Sequence, residues 1–127
     1  MKKTILALLL TALSTGAMAD WVRFSEDAEA VLYVDSASSA KNGDLVKMRN
    51  LFDFKKVKQQ AGASFLSIEM HEEYDCAKKQ VRGVGATAFS ENMSKGAVVV
   101  SDTYFDWMLV APGSASEDLW KLACGIY

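Results

Sequence analysis

Apolar and polar residues alternate along much of this chain with a period of two. Over residues 45–54, Val46, Met48, Phe52 and Phe54 share one parity, and Lys47, Arg49 and Asp53 share the other. Successive side chains of a strand point to opposite faces, so this segment reads as a strand with one buried and one wet face. Residues 65–76 repeat the pattern, with Leu66, Ile68, Met70, Tyr74 and Cys76 set against Glu69, His71, Glu73 and Asp75. Shorter strands are expected over residues 21–24, 28–35, 81–89, 97–100 and 104–110, which are rich in β-branched and aromatic side chains. Between them, Lys41-Asn42-Gly43-Asp44 predicts a tight turn, residues 35–39 a turn or cap, and residues 55–62 a polar loop. Gly83 and Gly85 lie inside a strand and point to a bulge, a bend or the close approach of another backbone.

The period changes after Pro112. Ser114 followed by Glu117 is a capping box, and Asp118 adds a negative charge to the first turn. Leu119, Leu122 and Ala123 centre one helical face, Trp120 and Cys124 share its edge, and Gly125 is placed to end the helix. About six to seven strands followed by one helix predict an α+β fold, an antiparallel sheet with a C-terminal helix on one face.

The N-terminus has a different character. Lys2 and Lys3 precede a short apolar run, and Ala17-Met18-Ala19 is a small-residue cleavage site. Residues 1–19 thus read as a secretory signal peptide, and the Lys-Lys start suggests a bacterial one. The mature chain, residues 20–127, has the length of one domain, about 108 residues. Without Lys2 and Lys3 it holds 12 basic and 16 acidic residues. That balance argues against nucleic acid as a partner. No cysteine lies near the cleavage site, so the expected product is periplasmic or secreted, with no lipid or membrane anchor.

Export gives the two cysteines their meaning. A disulfide between Cys76 and Cys124 is expected, tying the sheet to the helix. The competing readings are a reactive thiol and a metal site, but the chain has one histidine and no further cysteine. A bridge over this separation is worth about 4 kcal/mol in the chain-entropy model.

Candidate chemistry is sparse. His71-Glu-Glu-Tyr-Asp75 departs from the zinc-protease pattern, since its fifth residue is Asp. On a strand, Glu69, His71, Glu73 and Asp75 share a face that reads as solvated. His71 and Cys76 differ in parity and so cannot act as a catalytic pair. No nucleophile elbow is present, and no cofactor or metal is expected. Lys55, Lys56 and Lys58 form a small basic cluster able to meet an anionic surface. Phe105, Trp107 and Leu109 are expected on a core face, with Tyr104 and Asp106 opposite. Lys55, Lys56, Lys58 and Tyr104 are therefore the candidate ligand contacts.

The chain also resembles the surface-adhesin protein E family. The likeness runs through Trp21, Leu32-Tyr-Val-Asp35, Leu51-Phe-Asp-Phe54, Glu73-Tyr-Asp-Cys76 and Gly96-Ala-Val-Val99. It is most specific in Trp107-x-x-Val110-x-Pro112-Gly113-Ser114, with Glu117, Leu119 and Cys124 following. The resemblance implies an antiparallel sheet whose C-terminal helix is tethered by a disulfide. It also implies a non-catalytic binding protein, since the namesake is a lipid-anchored surface adhesin that engages host matrix and serum proteins such as vitronectin, laminin and plasminogen. No ligand-contacting residues carry over, because the matching positions are those of the scaffold.

Three readings of function follow. One is an exported binding protein of this adhesin type, whose partner is a host matrix or serum protein. The second is a periplasmic inhibitor or assembly partner of another envelope protein, acting through the Lys55 segment or the Gly83 region. The third is an enzyme using the face of Glu69, His71, Glu73 and Asp75.

Overall fold

The computed structural model describes residues 20–101 and 104–126; the signal peptide expected over residues 1–19 lies outside them. Seven antiparallel strands form one sheet: β1 (Val22–Glu26), β2 (Ala30–Asn42), β3 (Leu45–Gln60), β4 (Ala63–Asp75), β5 (Gln80–Phe89), β6 (Val98–Ser101) and β7 (Phe105–Leu109). Among the described residues one helix, α1 (Ala115–Cys124), follows. β1 to β5 are adjacent in chain order. β6 and β7 then share the far edge of β5, β6 pairing with Thr87, Ala88 and Phe89 and β7 with Gln80, Val81 and Gly83.

Alternation becomes layering as expected for the central strands. Leu32, Val34, Met48, Tyr74 and Val81 point to one face and meet Leu119 and Trp120 of α1, with Val110 completing the core. The disulfide between Cys76 and Cys124, with Cα atoms 5.7 Å apart, fastens the helix to the end of β4. Capping follows the sequence closely. The Ser114 hydroxyl accepts from the Glu117 amide at 3.2 Å, and the Glu117 carboxylate accepts from the Gly113 amide at 3.1 Å. Gly125 adopts φ +70°, and the Ile126 amide donates to the Lys121 carbonyl at 2.8 Å, closing the helix as a Schellman motif does.

Helix and sheet differ in length. A ten-residue helix spans about 15 Å, whereas the 16-residue β3 runs for roughly 50 Å. α1 therefore covers only part of the sheet face, and the far part is left to other means.

Several expectations are corrected. Residues 55–60 are not a polar loop. β3 continues through them, pairing Lys58 with Phe65, Gln59 with Ser64 and Gln60 with Ala63. Only Ala61 and Gly62 turn, both at positive φ as in a two-residue hairpin. Residues 35–39 are neither a turn nor a cap but a bulge inside β2, where its register with β3 shifts. Leu109 does not share the core face of Phe105. Between Phe105 and Met108, β7 holds two residues against one in β5. This extra residue flips the parity and leaves Leu109 75% exposed. The strand glycines do mark a bulge, since register slips by one between the pairs His71–Gly85 and Glu72–Gly83. What approaches Gly83 is a side chain, the Phe105 ring, which occupies the space a Cβ would need.

Candidate binding surface

The face opposite α1 is built from charges stacked on aromatic rings. Arg49 donates to Asp35 at 2.7 Å and to Glu69 at 2.8 Å, and its guanidinium lies 5.2 Å from the centre of the Trp21 ring. Arg82 donates to Glu73 at 2.8 Å and lies 4.9 Å from the Trp107 ring. His71 stands 3.4 Å from Glu69. The segment after β5 folds over this face. Ser94 donates to Glu69, the Met93 amide donates to Asp53, and Ser67 is bonded to both Ser94 and Glu91. Leu51 is wholly buried on this side.

The face expected to be solvated is thus largely enclosed, and its carboxylates are committed. Glu69 and Glu73 hold arginines, and Asp75 accepts from the amides of Ala77 and Lys78. Among the described residues, no three His, Cys, Asp or Glu side chains are arranged to hold a metal.

Sequence reasoning missed Glu72. Its even parity sets it on the helix face between Met70 and Tyr74, and it is only 6% exposed. Asn50 donates to its carboxylate at 2.7 Å and the Tyr74 hydroxyl at 3.0 Å. Burial pushes the Glu72 carboxyl above the usual range, and these two donors partly offset it. Tyr74 is pushed up too, first by burial and then by the Glu72 charge. The missed signal was a lone acid within an apolar parity set.

The two outer edges of the sheet contrast sharply. β1 carries Arg23 and Glu26, which pair with each other, and Lys55 also reaches Glu26 at 2.5 Å. Such charges blunt an edge against further pairing. Among the described residues the opposite edge carries fewer, for β6 is Val-Val-Val-Ser and β7 has Asp106 as its sole charge. Eight large hydrophobic side chains are exposed among the described residues, and five of them lie along this edge: Val98, Val100, Tyr104, Met108 and Leu109. Exposed apolar side chains strung along a sheet edge make it the candidate interaction surface.

Beside β6 the uncovered part of the helix face opens as a cleft of about 220 Å³. Phe65, Ile68, Met70, Ala86, Ala88 and Val100 line it, together with Gln60 and Ala61. The small Ala86 and Ala88 leave this space between larger neighbours.

The candidate contacts expected from sequence do not meet. Lys55 pairs with Glu26, Lys58 pairs with Glu29 and lies over Phe54, and Lys56 is exposed. Tyr104 is 64% exposed beside β7. Strand spacing puts it roughly 25 Å from Lys58. Tyr104 lies on the apolar edge; the lysines do not.

Comparison with known proteins places this geometry. No curated protein matches the sequence. Among solved structures, crystal form II of Haemophilus influenzae protein E is similar, with TM-score 0.64, 15% identity, and coverage of 89% of this chain and 93% of that one. Another structure, of protein E from non-typeable Haemophilus influenzae, is similar at TM-score 0.56 and 12% identity, covering 85% and 86%. At that identity the likeness is one of fold. No described helix is long and apolar enough to cross a membrane. The family model for surface-adhesin protein E matches residues 21–125, nearly the whole domain. The chain belongs to the surface-adhesin protein E family.

Proposed function

We propose that the protein is an exported, non-catalytic binding protein that engages a protein ligand through the β6–β7 edge. The ligand is a host extracellular-matrix or serum protein; an envelope protein of the producing cell is the alternative. One observation carries the reading. The edge whose described strands carry a single charge, Asp106, is also the one along which exposed Val98, Val100, Tyr104, Met108 and Leu109 lie. Family membership supports it, since the family is one of adhesins. The polar face is a weaker candidate, because its charges already satisfy one another.

The test uses the native protein and a Val98→Lys/Val100→Lys variant with unchanged circular dichroism. Both are titrated onto immobilised vitronectin, laminin and plasminogen. Binding to at least one, weakened about tenfold or more by the edge charges, is expected. Equal binding by the variant overturns the edge. Absence of binding to all three, with the native protein confined to the periplasm, overturns the host reading and leaves the envelope partner.

A further inference from the structure

We infer that the ligand joins the sheet as an extended strand beside β6 and inserts one bulky uncharged side chain into the adjoining cleft. The inference rests on the edge reading above and specifies what the edge takes. Among the described residues, β6 pairs with β5 alone, so its outer backbone faces no partner strand. Peptide groups on such an edge are a template for strand addition.

The register shows where a side chain of the added strand falls. One row crosses the helix face through paired residues, from Leu32 to Phe52, Ile68, Ala88 and Val100. The next position in that row belongs to a strand outside β6, about 4.8 Å further on. Its side chain sits beside Val100, which itself lines the cleft. Open ladder and cleft are therefore one site with Val100 common to both.

The cleft also selects the side chain. Its volume of about 220 Å³ exceeds the roughly 150 Å³ of an apolar cavity known to take up benzene, so an aromatic or large aliphatic group fits. No lining residue is charged, and Gln60 is the one polar side chain. A charged group entering it would lose hydration without a counter-charge. A second copy pairing through its own β6 would offer only Val and Ser, which cannot fill the space. The chemistry thus favours an extended segment of a different protein, uncharged at alternate positions, free of proline, and bearing a Phe, Tyr or Leu at the cleft.

The probe is a synthetic capped peptide, Thr-Val-Thr-Phe-Thr-Val-Thr, titrated into the full mature protein and followed by calorimetry and amide hydrogen exchange. Binding with slowed exchange in residues 98–101 is expected. Replacing the peptide's Phe with Ala should weaken it about tenfold or more, and N-methylation of alternate peptide bonds should abolish it. Ala86→Leu in the protein, which narrows the cleft, should have the same effect as losing the Phe. No binding at about 1 mM peptide overturns the inference. Unimpaired binding of the N-methylated peptide overturns strand addition while leaving an apolar site at the edge. Binding unchanged by Val98→Lys/Val100→Lys overturns the edge itself. A dimer in sedimentation that those lysines dissociate would make a second copy the occupant and overturn the inference.

Discussion

The indole nitrogen of Trp120 donates to the backbone carbonyl of Asp75 at 2.9 Å, one residue before the cysteine that binds the helix covalently. The helix is thus fixed twice at one end of β4, four residues apart on its own surface. Trp120 is 7% exposed, and Lys79 lies over its ring. Trp120→Phe keeps the apolar bulk and removes the donor. A loss of about 1–2 kcal/mol is expected from urea unfolding, because the Asp75 carbonyl loses its partner. Trp120→Ala should cost about 3–5 kcal/mol. A Phe variant as stable as the parent would show that the bond adds nothing.

The disulfide closes a long loop, with a sequence separation of 48. Replacing both cysteines by alanine should lower stability by about 4 kcal/mol in the chain-entropy model. Mass spectrometry of the unreduced protein should show a mass two hydrogens below that of the dithiol form. Two free thiols in exported protein would contradict the bridge.

Glu72 gives a pH dependence of definite sign. Its folded-state pKa is raised, so the fold favours the protonated carboxyl. The stability from that preference is fully present below the unfolded pKa. It is lost as pH rises through the folded value. Glu72→Gln cannot ionise, and its amide can also serve the Asn50 carbonyl oxygen, which is buried without a partner. The variant should lack the decline that wild type shows from about pH 4.5 upward. At pH 7 it should be equally stable or more so by about 1 kcal/mol. Urea midpoints across pH 4–8 read this directly; parallel curves for the two proteins would contradict it.

Gly83 packs against the Phe105 ring with no room for a Cβ. Gly83→Ala should therefore displace Phe105 and destabilise by about 1–3 kcal/mol. Combining it with Phe105→Ala should recover part of that loss, which a double-mutant cycle measures. Additive losses would show that the ring is not the obstacle.

The legible parts of the fold were those where one chemical contrast repeats. Val46 and Met48 against Lys47, and Ile68 and Met70 against Glu69, show strand faces without ambiguity. Ser114, Glu117 and Gly125 show both ends of the helix. Cys76 lay on the helix-facing parity, and Trp120 and Cys124 on the docking edge of α1. Irregularity hid the rest. The added residue in β7 reversed the face of Leu109, and lysines on a strand extension made residues 55–60 look like loop. Leu51 is buried on a face that a distant segment, residues 90–94, crosses through its bonds to Asp53, Ser67 and Glu69. The edge was illegible for a topological reason, since nothing local in Val-Val-Val-Ser says that β5 pairs on one side and nothing on the other. Parity sets Tyr104 on the face opposite Phe105, and it is exposed beside β7, whereas the Lys55, Lys56 and Lys58 cluster rests on charge alone.

Hydrogen exchange on the native protein, free and in the presence of vitronectin, laminin or plasminogen, tests the proposed edge against the lysine segment. Slowed exchange is expected in residues 98–101 and 105–109, with residues 55–60 unchanged. Protection confined to residues 55–60, with β6 and β7 exchanging as in the free protein, would contradict the edge as the binding surface.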